Sequence, residues 1–285
     1  MKLGLVLEGG GLRGAYTAGV LSWLIHEGIE ADITVGISSG ALHACHYLMK
    51  DVNALHGTSV DFASDRHNVG LVPLLHEGQP VGYDFLFEGV LKHELKFDVA
   101  KLKSVPQVLE FGVYSLEKCE TFWMSQADMD DDLQFLKAAC TLPLAGKNVK
   151  IDGKLYLDGG ITTMVPVDRC VKDNCDHMLV VVTKDRGFIR KPNGFITQLL
   201  LDIIYRKYPI LKKDFRKRTG VYNREMETVR QLEATGNVIL LQPSRDCGVT
   251  RFSGKKEDLE RLYQLGIEDC ENQKERLFKF LKQSN

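Results

Sequence analysis

The chain has 285 residues, 44% of them hydrophobic and 26% charged, and a formal net charge of -1 at pH 7. This balance fits a globular α/β protein with a sizeable core, and it excludes a strong general attraction to nucleic acid or to anionic membranes. Seven cysteines without C-x-x-C pairs point to reduced thiols rather than a disulfide framework or zinc ribbon; with no signal-peptide pattern and no membrane-spanning apolar run, the expected location is cytoplasmic.

Residues 3–7, Leu-Gly-Leu-Val-Leu, are apolar enough for a fully buried parallel strand. Residues 15–26 then carry the broad apolar face of a helix, which Gly28 ends. Residues 33–36 form a second short buried strand, and 41–50 the helix behind it. Two strand–turn–helix units in succession imply a parallel sheet with right-handed crossovers. Residues 51–104 hold many of the histidines and the aromatics Tyr83, Phe85 and Phe87, and read as a helical and loop excursion that could wall a site. Next come a strand at 111–116, a helix at 130–140 and a hairpin over 147–157 turning at Asp152-Gly153. Buried strands at 178–183 and 238–241 and a helical region over 258–282 complete the series. The expectation is one domain over 1–285 with a three-layer α/β/α fold and a mostly parallel central sheet. Its motif-bearing core covers about residues 3–185, and 186–285 form a C-terminal extension of helices and a strand.

Two glycine motifs stand at the ends of the first two strands. Gly36-Ile37-Ser38-Ser39-Gly40 is a G-x-S-x-G elbow, in which glycines two residues either side of a serine let the chain turn sharply and expose the hydroxyl. Gly9-Gly10-Gly11-Leu12-Arg13-Gly14 can turn successive N–H groups to one side, next to a helix start that adds partial positive charge. A nucleophile beside such an anion cradle suits acyl transfer.

The base is the discriminating question. A conventional α/β-hydrolase places its histidine last in the chain order. After residue 158 this chain has a single histidine, His177, at the wrong end of its strand. Asp158-Gly159-Gly160 instead places a carboxylate directly after a strand, where it could face a serine from a neighbouring strand end. An aspartate is a weak base at its usual pKa of about 3.9, but an apolar setting raises it.

Taken in order, Glu8 to Gly14, Gly36 to Gly40 and Asp158-Gly159-Gly160 resemble the motifs of the patatin-like phospholipases, and of their small bacterial branch in particular. Ala138-Ala139-Cys140-Thr141-Leu142-Pro143 resembles the family's small-residue and proline segment, and Pro166 also fits. The resemblance implies a serine lipid acyl hydrolase with Ser38 as nucleophile and Asp158 as base. It further implies an oxyanion loop at Gly9, Gly10, Gly11, Leu12, Arg13 and Gly14, elbow glycines Gly36 and Gly40, and base-motif glycines Gly159 and Gly160. The substrate would be a fatty acyl ester lipid, with no metal and no cofactor. Glu8 stands where many members have Asp, and the segment around Pro143 lacks an aromatic that many carry.

Other readings compete. G-x-G-x-x-G also serves dinucleotide folds, but these want an acidic residue ending the second strand, where this chain has Gly36. A lipid-binding or scaffolding protein with the same fold and little turnover is the main alternative function. His43 and His46 are expected to pack within the fold, Ser39 to act as an elbow spacer, Arg13 to serve structure, and Cys45 and Cys140 to fill the core. Residues 195–218 join an apolar front half to a basic back half ending in Arg216, Lys217 and Arg218. That combination suits peripheral docking at the inner membrane face, or equally a core-packed helix with a solvated basic end.

Overall fold

A computed structural model describes residues 2–282. Eight strands form one sheet: β1 (Leu3–Leu7), β2 (Ile33–Gly36), β3 (Val108–Ser115), β4 (Glu120–Ser125), β5 (Val149–Ile151), β6 (Lys154–Asp158), β7 (His177–Val181) and β8 (Val238–Leu241). Among the described residues eleven α-helices surround it: α1 (Gly14–His26), α2 (Ser39–Leu48), α3 (Val52–His56), α4 (Leu71–His76), α5 (Val99–Ser104), α6 (Gln134–Cys140), α7 (Val167–Lys172), α8 (Phe195–Ile204), α9 (Pro209–Ala234), α10 (Lys256–Glu271) and α11 (Lys274–Lys282). The excursion over 51–104 includes two π-helical stretches, Gly57–Asp61 and Phe85–Glu94.

The strands read as unbroken apolar runs because both faces of the sheet are covered. Leu3, Leu5 and Leu7 of β1 point into a core shared with α1, α2 and α10, while Val6 points the other way into one built with Tyr222, Met226 and Val229 of α9. Period-two alternation therefore splits a single apolar strand between two cores, which makes the three layers. β3, β2, β1, β7 and β8 run parallel, whereas β4, β5 and β6 join antiparallel. Residues 178–181 of the expected strand and all of 238–241 lie in β7 and β8, and the 147–157 hairpin is β5–β6. The strand at β4 has no counterpart among the sequence expectations.

One register carries the functional geometry. Glu110 and Phe111 of β3 pair with both β2 and β4, and Val113 to Ser115 pair with both β4 and β6. A strand has only two edges, so β2 and β6 share the edge of β3 that β4 does not occupy. β2 runs parallel to β3 and ends with Gly36 opposite Phe111; β6 runs antiparallel and ends with Asp158 opposite Val113. The two strands thus meet head-on, with only Gly112 of β3 between their ends. The junction is tight: a Cβ on Gly159 would lie 2.6 Å from the carbonyl carbon of Gly112.

The C-terminal portion is built into the same layers. β8 extends the sheet beside β7, and α10 packs against α1.

Candidate active site at a head-on strand junction

Ser38 sits at the turn between β2 and α2 with φ 57° and ψ −129°. A non-glycine residue held there stores strain of about 1–3 kcal/mol, which the surrounding packing must fix. The flanking glycines make the turn possible. A Cβ on Gly36 would lie 2.5 Å from the Gly40 carbonyl oxygen, and one on Gly40 would lie 2.7 Å from that of Leu7. Ser38 is buried at the floor of a cavity of about 100 Å³ whose apolar walls include Leu42, Phe62, Val81, Leu86 and Leu142.

Asp158 is fully buried at the end of β6. Its Oδ1 accepts the Gly160 N–H at 2.7 Å, and its Oδ2 has no well-formed hydrogen bond among the described residues. Burial pushes the carboxyl up to about 6. The largest influence in the opposite direction is the Ser38 hydroxyl, followed by the Gly160 N–H and the charges of Arg218 and Arg251. The head-on strands therefore bring Ser38 and Asp158 together, although they lie far apart in sequence.

The loop over 9–14 wraps the same point. Gly9 packs so closely on the serine that a Cβ there would lie 2.8 Å from Ser38 Cβ. Gly10 donates its N–H to Ser39 Oγ at 3.0 Å, and Leu12 donates to the Arg251 carbonyl at 3.1 Å. Arg13 donates from Nε to the Val249 carbonyl at 3.2 Å, and Gly14 begins α1. The N–H groups of Gly9, Gly11 and Ser39 have no acceptor among the described residues. Glu8, at the base of the loop, is buried and accepts from Thr183 N at 2.7 Å, from Thr183 Oγ1 at 3.0 Å and from the Lys184 ammonium. Burial brings that ammonium down to about 8, against the pull of Glu8. This buried ion pair occupies the position at which Glu8 departs from the commoner Asp.

The histidines stay out of this constellation as proton carriers. His43 lines the cavity and pairs with Ser59 Oγ at 3.0 Å, while His46 packs edge-on against Phe97. Burial holds both near 3, so they are neutral. His177 pairs with Leu3 at the opposite end of the sheet from Ser38. Cys45 and Cys140 are buried, and Cys140 Sγ donates to the Ser38 carbonyl at 3.3 Å. Among the described residues no cluster of His, Cys, Asp and Glu is suited to hold a metal ion.

Two neighbours of the site have no counterpart among the sequence expectations. Arg218, assigned there to a basic end, is buried and donates from Nε to the Gly160 carbonyl at 2.7 Å. Its signal was spacing: Leu211, Phe215, Arg218, Tyr222, Met226 and Val229 form the buried stripe of α9. Arg251, whose carbonyl holds the glycine loop, lies in an irregular stretch between β8 and α10 and carries no sequence signal.

The rest of 195–218 divides along its length. α8 exposes Phe195, Ile196, Leu199, Leu200, Ile203 and Ile204, and α4 exposes Leu71, Leu74 and Leu75. Arg206, Lys207, Lys213 and Lys217 are exposed, whereas Lys212 and Arg216 pair with Asp202. Among the described residues no helix is long and apolar enough to cross a membrane.

Comparison with known proteins identifies the family and the fold. Residues 5–171 match the profile of the patatin-like phospholipases, and residues 208–282 match that of a domain of unknown function. The uncharacterized protein YjjU of Escherichia coli (strain K12) is 22% identical over 208 residues, covering 68% of this chain and 55% of its own length. The chain thus spans about half of that curated relative. The crystal structure of VipD from Legionella pneumophila shares the fold with a TM-score of 0.52 at 13% identity, covering 95% of this chain and 66% of that one. With the profile spanning more than half of its length, this chain belongs to the patatin-like phospholipase family.

Proposed function

We propose that the protein is a serine lipid acyl hydrolase acting through a Ser38–Asp158 dyad. The observation that carries this reading is a strained serine held against a buried, partly unsatisfied carboxylate at the floor of an apolar cavity. Asp158 takes the hydroxyl proton as Ser38 Oγ attacks the ester carbonyl. The N–H groups of Gly9, Gly11 and Ser39, free of other acceptors, are the candidates to hold the oxyanion; each such donor is worth about 3 kcal/mol in the transition state. Collapse of the intermediate breaks the C–O bond, and the leaving alcohol takes the proton from Asp158. Water then attacks the acyl-Ser38 ester while Asp158 removes its proton. That proton returns to Ser38 Oγ as the fatty acid departs.

The exposed apolar faces of α8 and α4, beside exposed lysines and arginines, support peripheral contact with an anionic lipid surface. The contribution of β8 to the sheet and of α10 to the helical layer supports a single folding unit.

Intact-mass labelling with a fluorophosphonate tests the chemistry. One adduct is expected on the wild type and on Ser39→Ala, none on Ser38→Ala, and a strongly slowed one on Asp158→Asn. A correctly folded wild type that takes no adduct would leave a lipid-binding protein as the better account.

A further inference from the structure

The segment matching a domain of unknown function, residues 208–282, reaches the serine site at two points. Arg218 of α9 bonds the carbonyl of Gly160, the residue whose N–H holds Asp158. The Arg251 carbonyl bonds Leu12 and stands where a Cβ on Gly11 would be, at 2.5 Å. These contacts occupy the Arg251 backbone and leave its side chain for something else.

That side chain is half-buried, yet it makes no hydrogen bond or ion pair to any described residue. The Phe252 ring centroid lies 5.9 Å from its guanidinium carbon. Arg251 and Phe252 line the cavity above Ser38 and also a second cavity of about 410 Å³. Arg218 lines the second as well, among apolar walls that include Leu144, Leu200 and Phe215. The two cavities therefore meet at Arg251, one floored by the serine and the other carrying two guanidinium groups.

Local charge points the same way. Arg13, Arg190, Arg218 and Arg251 act on one another, and burial with mutual repulsion holds Arg218 and Arg251 below their ordinary values. The facing carboxylates have other partners. Glu8 is tied to Lys184 and Thr183, Glu225 accepts the N–H groups of Met164 and Val165, and Asp158 accepts the Gly160 N–H and faces Ser38, with its Oδ2 lacking a well-formed hydrogen bond. Buried guanidinium groups without a full complement of anions favour a ligand that brings one.

We infer that Arg251, supported by Arg218, forms a specificity subsite for the phosphodiester of a phospholipid whose scissile ester lies over Ser38. The apolar walls of the second cavity take the part of the lipid next to that phosphate. The inference rests on the lipid-hydrolase reading for the position of the ester, while the anion site is testable without turnover.

Two measurements test it on the full chain. The first compares kcat/KM for a phospholipid and for a diacylglycerol of the same chains, each in mixed micelles with a neutral detergent. Arg251→Gln should lower the phospholipid-to-diacylglycerol ratio at least tenfold, and Arg251→Lys should restore part of it. An unchanged ratio, with both substrates falling alike or neither falling, overturns the subsite. The second uses Ser38→Ala and measures binding of a non-hydrolysable ether phospholipid and of the matching ether diglyceride, with and without Arg251→Gln. Weaker binding of the phospholipid alone is expected; equal effects on both ligands overturn the proposal even in a protein without turnover. Inorganic phosphate added at millimolar concentration should leave phospholipid binding intact. Full competition by phosphate would replace the lipid phosphodiester with a free-phosphate site. A thermal melt of each variant separates lost recognition from lost folding.

Discussion

The two parts of this chain contribute to one site by different means. Up to about residue 185 the chain supplies the proposed reacting groups on short motifs, each at the end of a strand. Beyond it, the chain supplies a carbonyl from Arg251 and an N–H from Arg218, which brace the glycine loop and the Asp158 turn from behind. Motif residues are restricted by backbone geometry and so leave a mark in sequence. Bracing groups need only reach, and many arrangements of helix and loop could provide that. Recognisable residues and necessary residues are therefore different sets.

The sharpest test of this division removes the reacting carboxylate. Asp158→Asn should lower kcat about a thousandfold, the middle of the range for general-base catalysis. In the wild type, activity should fall as pH drops below about 6, because the base must be ionised. Stability should move in the opposite sense. A carboxyl raised from its unfolded value of about 3.9 contributes stability at low pH that is lost as pH rises through about 6. Asp158→Asn should therefore raise the melting temperature at pH 8, by the equivalent of up to about 3 kcal/mol, and lose that advantage near pH 4. A variant less stable than wild type at pH 8 contradicts the burial argument.

Gly159→Ala should come next. Its Cβ would press on the Gly112 backbone at 2.6 Å and part the facing strand ends. A loss of about 1–3 kcal/mol in stability is expected, with kcat falling on the order of a hundredfold as the dyad separates. Full activity would mean that the junction does not set the serine–carboxylate geometry.

Arg218→Met probes the bracing side. It leaves the buried Gly160 carbonyl without its donor, at a cost of about 1–3 kcal/mol, and should lower kcat roughly tenfold while leaving the fluorophosphonate adduct on Ser38. If it abolished labelling, Arg218 would belong with the reacting groups and the division would fail. Ser39→Ala should be mildest. It removes the acceptor of the Gly10 N–H, worth about 1 kcal/mol, so a several-fold loss in rate is expected with adduct formation retained.

Legibility followed the same physical line. β1, β2, β7 and β8 were readable because burial on both faces demands unbroken apolar runs. The elbow was readable because Gly36 and Gly40 leave no room for a Cβ. β4 was missed because Phe122, Trp123 and Met124 make an apolar run too short to tell from a loop, and only partly buried. α9 hid its core stripe within a largely charged sequence, and its buried arginine looked like part of a solvated cluster. Arg251 braces the glycine loop through a main-chain carbonyl, which no residue type betrays.

The head-on meeting of β2 and β6 also sets an order of events as the chain is made. Ser38 leaves the ribosome well before Asp158, and Arg251 follows later still. The elbow can form early, but its hydroxyl lacks the proposed base until β3 is seated and β6 runs back along the same edge. On the proposed dyad, a nascent chain therefore carries an inert serine until Asp158 has been made and β6 has folded back along β3.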